Sequence, residues 1–411
     1  MQIAGLDIGT QNIKLLVAET GKKGELKILK IFKSPSHGTR KGAIYDLDDA
    51  VAATGDMFAA LKKAYRPASK NIYVSVNGPQ ITSHISKGII AVSRADNEIY
   101  KDDIDRVIKA SQAINLSPNR RIIHTLTREF VVDGVRDIVD PAGLVGNRLE
   151  VESVVVDAFG PYMQNLTRLV EINGCRIGGF IFGPLASARA VLTKKQKELG
   201  VALVDIGAAT TGMCVYEEGR LLHAAVFPVG ALHITNDVAV GFKIPPGDAE
   251  NLKLSFGYAI ARHITPKESV ELRLANATVK NSIPKRFLSE IIESRLAEIF
   301  GFVNNELKSI GKLGQLPAGV VFTGGGAKLP AVIDLAREEL RISSQIGVAE
   351  ADFQILDPNY KTELEDPEFI CSLGLVLWGR EFSGKESFVD LGSWGSPAIS
   401  FLRSFFKSLL P

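Results

Sequence analysis

Two stretches of the chain place apolar runs and polar turns in the same order. In residues 201–212, VALVDIGAATTG, an apolar run leads to Asp205, and the small residues Gly207, Ala208 and Ala209 follow. Thr210 and Thr211 close the turn, and a second apolar run returns over 213–216. In residues 3–19, IAGLDIGTQNIKLLVAE, the apolar run ends at Asp7, Gly9 and Thr10 turn, and IKLLVAE returns. Each pattern predicts strand, tight turn, strand. Such a turn aims backbone N–H groups at one spot, which suits a phosphate. A carboxylate at a strand end suits a hydrated Mg2+. A plain hairpin with an edge aspartate accounts for either stretch taken alone. Two of them, half a chain apart, describe a duplicated domain that clamps a nucleotide between its halves.

The same pattern reading places the other elements. Residues 1–33 read as the first hairpin plus a third strand, LKILKIFKS, and 44–65 as a helix with Leu47, Val51, Met57, Phe58 and Leu61 near one face. Residues 71–76 are a short strand. Residues 81–160 change character: a strand HISKGIIAVS, an amphipathic helix over 100–114, then the strands RRIIHTLTREFVVDG and RLEVESVVVDAF. They make a compact inserted subdomain. A helix over 160–174, a strand CRIGGFIF and a helix over 184–192 lead into the second half. There LLHAAVFPVGA is a strand, Thr235 is expected to cap the helix NDVAVGF, and a helix over 247–255 follows. ESVELRLA is a strand, and 287–307 a long helix. A buried strand over 319–323 is broken by Gly324, Gly325 and Gly326, with helices over 330–340 and 370–379 beyond.

Composition narrows the classes. The 411 residues allow two domains or more, and 45% apolar with 23% charged residues is ordinary for a globular protein. A net charge of +2 argues against a nucleic-acid surface. Cys175, Cys214 and Cys371 are scattered without a CxxC pair and read as buried, reduced thiols. The chain opens directly in a strand, so no signal peptide is expected, and no apolar run is long enough to span a membrane.

Three further features carry candidate chemistry. Glycines after a buried strand and before a helix, as at 324–326, let a flat ring approach the backbone. Glu250 and Lys253 share a helix face and can take ribose hydroxyls and the adenine edge, although a surface ion pair is the default for such spacing. Finally, residues 396–411 form an amphipathic pattern. Ile399, Phe401, Leu402, Phe405, Phe406, Leu409 and Leu410 fill one side; Ser400, Arg403, Ser404, Lys407 and Ser408 fill the other. Such a helix is too short to span a bilayer but long enough to lie in its interface, with Trp394 at headgroup level. Packing of this tail on its own core is the alternative.

The order hairpin, insert, hairpin, Glu-x-x-Lys, Gly-Gly-Gly resembles the actin-like ATPase superfamily, most closely the FtsA family of bacterial cell-division proteins. The stretches RRIIHTLTREFVVDG, DPAGLVGNRLEVE, ELGVALVDIG, PVGALHITNDVAVGFKIPPGDAENLKLSFG, GVVFTGGGAKLPAV and SLGLVLWG carry the likeness. It implies a duplicated actin-like (ribonuclease-H-like) α/β fold with the nucleotide cleft between two halves and an FtsA-type inserted α/β subdomain. The expected units are 1–80 with 161–195, the insert 81–160, 196–230 with 309–383, and a smaller subdomain 231–308. A linker over 384–395 and the membrane-targeting helix over 396–411 complete the chain.

By position, the resemblance implies ATP and Mg2+ as ligands. Asp7, Gly9, Thr10, Gln11 and Lys14 would form the first phosphate loop, and Asp205, Gly207, Thr210 and Thr211 the second. Both aspartates would hold Mg2+ through water. Glu250 and Lys253 would take the ribose and adenine, and Gly324, Gly325 and Gly326 would line the adenosine pocket. The resemblance also implies head-to-tail filaments, a membrane surface bound through the C-terminal helix, and capture of the FtsZ C-terminal tail by the subdomain 231–308 with Arg295 facing it. The sequence departs from the superfamily at Ala208, Ala209 and Gly212, where glycines and an acid are usual. It departs again at Gly183, where the chaperones carry a glutamate that positions the attacking water. Binding with weak or no hydrolysis is therefore expected. A scaffold like the pilus-assembly protein PilM shares the fold and the insert. A small-molecule kinase would need a catalytic acid beside a substrate cleft, and none stands out.

Overall fold

A computed structural model describes residues 1–21, 25–272, 281–350 and 353–382. The expected linker, the expected C-terminal helix and the end of the strand ESVELRLA lie outside the described residues.

Two sheets repeat one topology. In the first, Gln2–Ile8, Asn12–Thr20 and Leu26–Pro35 run antiparallel in sequence, and Ile72–Val76 and Ile177–Phe182 add in parallel on the other side of Gln2–Ile8. In the second, Val201–Ile206, Thr211–Glu217 and Arg220–Phe227 run antiparallel, and Val320–Thr323 and Ser344–Ile346 add in parallel beside Val201–Ile206. The central strands, flanked on both edges and packed on both faces, are buried along nearly their whole length. That explains why they read as continuous apolar runs rather than alternating ones.

The two copies differ in what interrupts them. In the first, residues 82–159 lie between the two parallel strands. There Thr82–Ala91, Arg148–Phe159, Arg120–Val132 and Val135–Ile138 make a four-stranded antiparallel sheet under the helix Lys101–Ser111. Ile104, Val107 and Ile108 of that helix pack against Phe130, Leu149 and Val151 in a separate core. In the second copy the interruption falls before the parallel strands. It consists of the helices Ala231–Phe242, Pro246–Phe256 and Lys285–Ser309 and a small hairpin, Ser269–Leu272 with Asn281–Pro284.

Two helices exchange sides between the halves. Gly183–Val191 leaves the first sheet but packs on Val201–Ile206 and Thr211–Glu217 of the second. Ile370–Phe382 leaves the second half but packs on Gln2–Ile8, Asn12–Thr20 and Ile72–Val76 of the first. The two pack against each other, and every side chain from Ile370 to Gly379 is buried. The expected unit 309–383 is thereby corrected. Phe353–Ile355 pairs with Leu26–Pro35 as an edge strand of the first sheet, and the last helix belongs to the first core. A helix buried all round shows no face in its sequence, so its partner sheet was not legible.

A second correction concerns Thr235. The helix begins at Ala231, a full turn before Thr235, and needs no capping side chain. The N–H of Ala231 donates to the Gly207 carbonyl (2.9 Å) and that of Leu232 to the Ala208 carbonyl (2.7 Å). The second turn thus satisfies the first two orphan donors of this helix. Lys194–Leu199 is a further short helix, with Thr193 and Gln196 forming a reciprocal capping box.

Candidate functional site

A cavity of about 410 Å³ opens between the two halves. Its walls include Asp7, Gly9, Thr10, Gln11 and Lys14 from the first hairpin and Asp205, Gly207 and Thr210 from the second. Glu250 and Lys253 and the three glycines Gly324, Gly325 and Gly326 complete the list of anticipated residues that meet there. Thr211 does not reach the cavity. Its hydroxyl is wholly buried and donates to the Val229 carbonyl (2.8 Å), which ties the turn to the chain leading into Ala231–Phe242. Arg295 lies away from the cavity on Lys285–Ser309 and holds Asp237 in a two-point pair (2.6 and 3.0 Å) as well as Glu298. The membrane-facing candidates Trp394, Ile399, Phe401, Leu402, Phe405, Phe406, Leu409 and Leu410 lie outside the described residues.

The two aspartates are held alike. Ser75 donates to Asp7 Oδ1 (2.7 Å), and Ser187 donates to Asp205 Oδ2 (2.8 Å). Each serine comes from the element packed beside the hairpin. Asp7 Oδ2 also pairs with Lys14 Nζ (2.8 Å), two strand residues whose Cα atoms are direct register partners. Burial alone would lower the Lys14 pKa; the Asp7 carboxylate overrides it and holds the ammonium above its ordinary range. Asp205 has no such cation in contact among the described residues. Burial pushes its carboxyl above the usual range, its bond from Ser187 offsets part of this, and Asp7 across the cleft adds repulsion.

On the far wall, Lys253 is almost fully buried and pairs with Glu250 (2.7 Å). Its Nζ also donates to the Thr235 hydroxyl (2.8 Å), and Thr235 in turn donates to Glu250. Burial works against the Glu250 carboxylate, but bonds from Lys253 and Thr235 more than compensate, so its pKa lies below the usual range. The other Glu250 oxygen accepts from Gln11 Nε2 (3.1 Å), a bond that crosses the cleft. This is no solvated surface pair: it is a rigid carboxylate aimed into the cavity.

Four contributors were absent from the sequence reading. Ser75 was the one small polar residue inside an apolar strand, and Ser187 lay in a run of small helical residues; either oddity was a usable signal. Glu368 gathers Asn12 (2.9 Å) and Lys33 (2.9 Å) on its carboxylate while its carbonyl accepts from Lys14 (2.9 Å). Nothing in its local sequence marks it. Asn77 is treated below.

The chain was compared with known proteins. The family model for cell division protein FtsA matches residues 202–374, and that for the SHS2 domain inserted in FtsA matches residues 78–157. The FtsA of Bacillus subtilis is 33% identical over 90% of this chain and 82% of its own length. That of Pseudomonas aeruginosa is 32% identical over 96% and 93%. Among solved structures, the PilM–PilN type IV pilus biogenesis complex superposes with a TM-score of 0.66 at 15% identity, covering 92% of this chain and 98% of the other. MreB5 of Spiroplasma citri bound to ADP gives 0.53 at 13% identity, covering 93% and 96%. At such identities the structural matches speak for the actin-like fold alone. The curated relatives go further, matching at about a third identity across nearly the whole chain, insert included, and the chain belongs to the FtsA family of cell-division proteins.

Proposed function

We propose that this protein binds ATP with Mg2+ between its halves and works as a nucleotide-gated scaffold. In this reading it polymerises on the inner face of the cytoplasmic membrane and tethers FtsZ filaments there during division. The observation that carries the nucleotide reading is the convergence of two matching hairpins, an acid-lined wall and a glycine turn on one cavity.

The residues fit the ligands. Asp7 and Asp205 repel each other across the cleft, and a cation between them relieves that repulsion. Both Asp7 oxygens already carry protein partners, so a metal meets this carboxylate through water. Glu250 presents a fixed acceptor for ribose hydroxyls once Gln11 yields its bond. Open space over Gly325 admits a flat ring. Bound Mg2+ would neutralise phosphate charge. Among the described residues that line the cavity there is no histidine, and Asp7, Asp205 and Glu250 each already hold protein partners, in keeping with slow hydrolysis.

Membrane attachment rests on the amphipathic pattern of residues 396–411. Each basic residue near an anionic leaflet contributes roughly 1 kcal/mol, and a single short helix binds reversibly, so a polymer presenting many copies attaches more firmly. Nucleotide that favours polymer then favours membrane. The test is liposome flotation with MgATP, using the full chain, a chain ending at Gly392, and Phe405→Glu, with electron microscopy of the lipid-bound material. Filaments from the full chain and loss of flotation in both variants are expected. Equal flotation of the truncated chain places the anchor elsewhere, and isolated molecules at high surface density refute the polymer.

A further inference from the structure

We propose that Asn77 orients the water that attacks the terminal phosphate of the nucleotide, an inference that rests on the nucleotide reading above. Asn77 follows the strand Ile72–Val76 and lines the cavity. Its amide orientation is determined by its neighbours. Asp7 Oδ1 can only accept, and Asn77 Nδ2 stands 3.3 Å from it. Ser75 gives its proton to Asp7, so its oxygen accepts from Asn77 Nδ2 (3.2 Å) and from the Ile8 N–H (3.3 Å). The amide nitrogen must face Asp7, and Oδ1 must face the opposite way.

That way lies Gly183. A Cβ built on Gly183 would stand 2.0 Å from Asn77 Oδ1, so the carbonyl oxygen fills the space a side chain at 183 would enter. Gly183 itself cannot retreat. The preceding Phe182 N–H donates to the buried His124 Nε2 (2.9 Å), and Pro184 abuts Gly212 of the second hairpin. Asn77 Oδ1 accepts no hydrogen bond among the described residues, and the residue lines the cavity together with Asp7, Phe182 and Pro184. A fixed, unoccupied acceptor there can take one O–H of a water and leave the oxygen lone pair free. In the reaction that oxygen bonds to the γ-phosphorus as the bond to the ADP oxygen breaks. The water's proton passes to a phosphate oxygen, because an amide takes no proton at neutral pH. Orientation without a base is a weak form of assistance, in keeping with slow turnover.

The experiment compares affinity for a non-hydrolysable ATP analogue with affinity for ADP–aluminium fluoride, which holds a water in line with the metal fluoride. Single-turnover hydrolysis of γ-labelled ATP is measured alongside. Asn77→Ala should bind the analogue within about twofold of wild type. It should lose about tenfold on ADP–aluminium fluoride and on turnover, the worth of one neutral hydrogen bond. The double variant Asn77→Ala with Gly183→Gln, which returns a carboxamide from the opposite side, should recover most of both. Equal loss on the two ligands, no loss on either, or failure of both variants to fold assigns Asn77 a structural role and overturns the proposal. A wild-type protein that binds neither ligand overturns the nucleotide reading itself and this inference with it.

Discussion

The glycine turn after Val320–Thr323 allows fold and ligand to be perturbed separately at neighbouring positions. Gly324 has φ +85° and ψ 169°, a region essentially reserved for glycine. A Cβ there would lie 2.4 Å from Asp205 Oδ1 and 2.6 Å from the Ile206 carbonyl oxygen. Backbone strain of about 1–3 kcal/mol adds to about 1–3 kcal/mol for overpacking. Near the middle of that range, about 4 kcal/mol, Gly324→Ala should lower the melting temperature by roughly 5 °C. Gly325 is exposed, and a Cβ built on it meets nothing within 4 Å, because it points into the cavity. Gly325→Val should therefore melt within about 2 °C of wild type, as surface changes do. Its methyl groups occupy the space assigned to the adenosine, and overpacking of about 1–3 kcal/mol predicts roughly 5- to 150-fold weaker binding. Scanning fluorimetry without ligand and titration of a fluorescent ATP analogue read the two effects. Wild-type affinity in Gly325→Val would falsify the placement of adenosine. Equal thermal loss in the two variants would refute the reading of the turn.

The two aspartates should respond oppositely to neutralisation. Asp7→Asn leaves Lys14 buried without its counter-charge and should cost about 3–5 kcal/mol, whereas Asp205→Asn removes a repelled carboxylate and should leave the melting temperature at neutral pH unchanged or higher while abolishing the Mg2+ dependence of ATP affinity; thermal melts and titrations with and without Mg2+ decide, and a destabilised Asp205→Asn counts against the repulsion. Burial pushes the His124 pKa down to about 3. The unfolded chain therefore takes up this proton and the folded one does not between about pH 6.5 and 3, so the His124 contribution is complete above about 6.5 and is lost at up to about 1.4 kcal/mol per pH unit as pH falls through that window. His124→Gln should flatten the acid limb of a stability-against-pH curve, and parallel curves would show that His124 is protonated in the fold. Arg295 already holds Asp237, so an acidic peptide must compete for the guanidinium: Arg295→Glu should abolish binding of the FtsZ tail in fluorescence polarisation, Asp237→Ala should strengthen it several-fold, and wild-type affinity in the first variant sinks the assignment.

The sequence by itself determined the parts whose signal is local. The two hairpins announced themselves because a strand buried on both faces must be apolar throughout, and because each turn places a glycine two residues after its aspartate, Gly9 after Asp7 and Gly207 after Asp205. Asp7, Asp205 and the three glycines could be named from that pattern. The family likeness was equally legible, since long stretches keep their residues in order. Tertiary structure decided what depends on partners far along the chain. Thr235 read as a cap because a hydroxyl before an apolar run usually is one; instead the carbonyls of Gly207 and Ala208 supplied the cap, and Thr235 was freed to join Glu250 and Lys253. Gln11 meets Glu250 across 239 positions of sequence, and Arg189 reaches Glu381 across 192. The last helix sits on the first sheet because its crossing partner sits on the second, an exchange that no periodicity encodes. The same holds for Asn77 and Gly183. One polar residue after a strand and one glycine before a helix look unrelated until folding puts the oxygen of the first into the space the second leaves open.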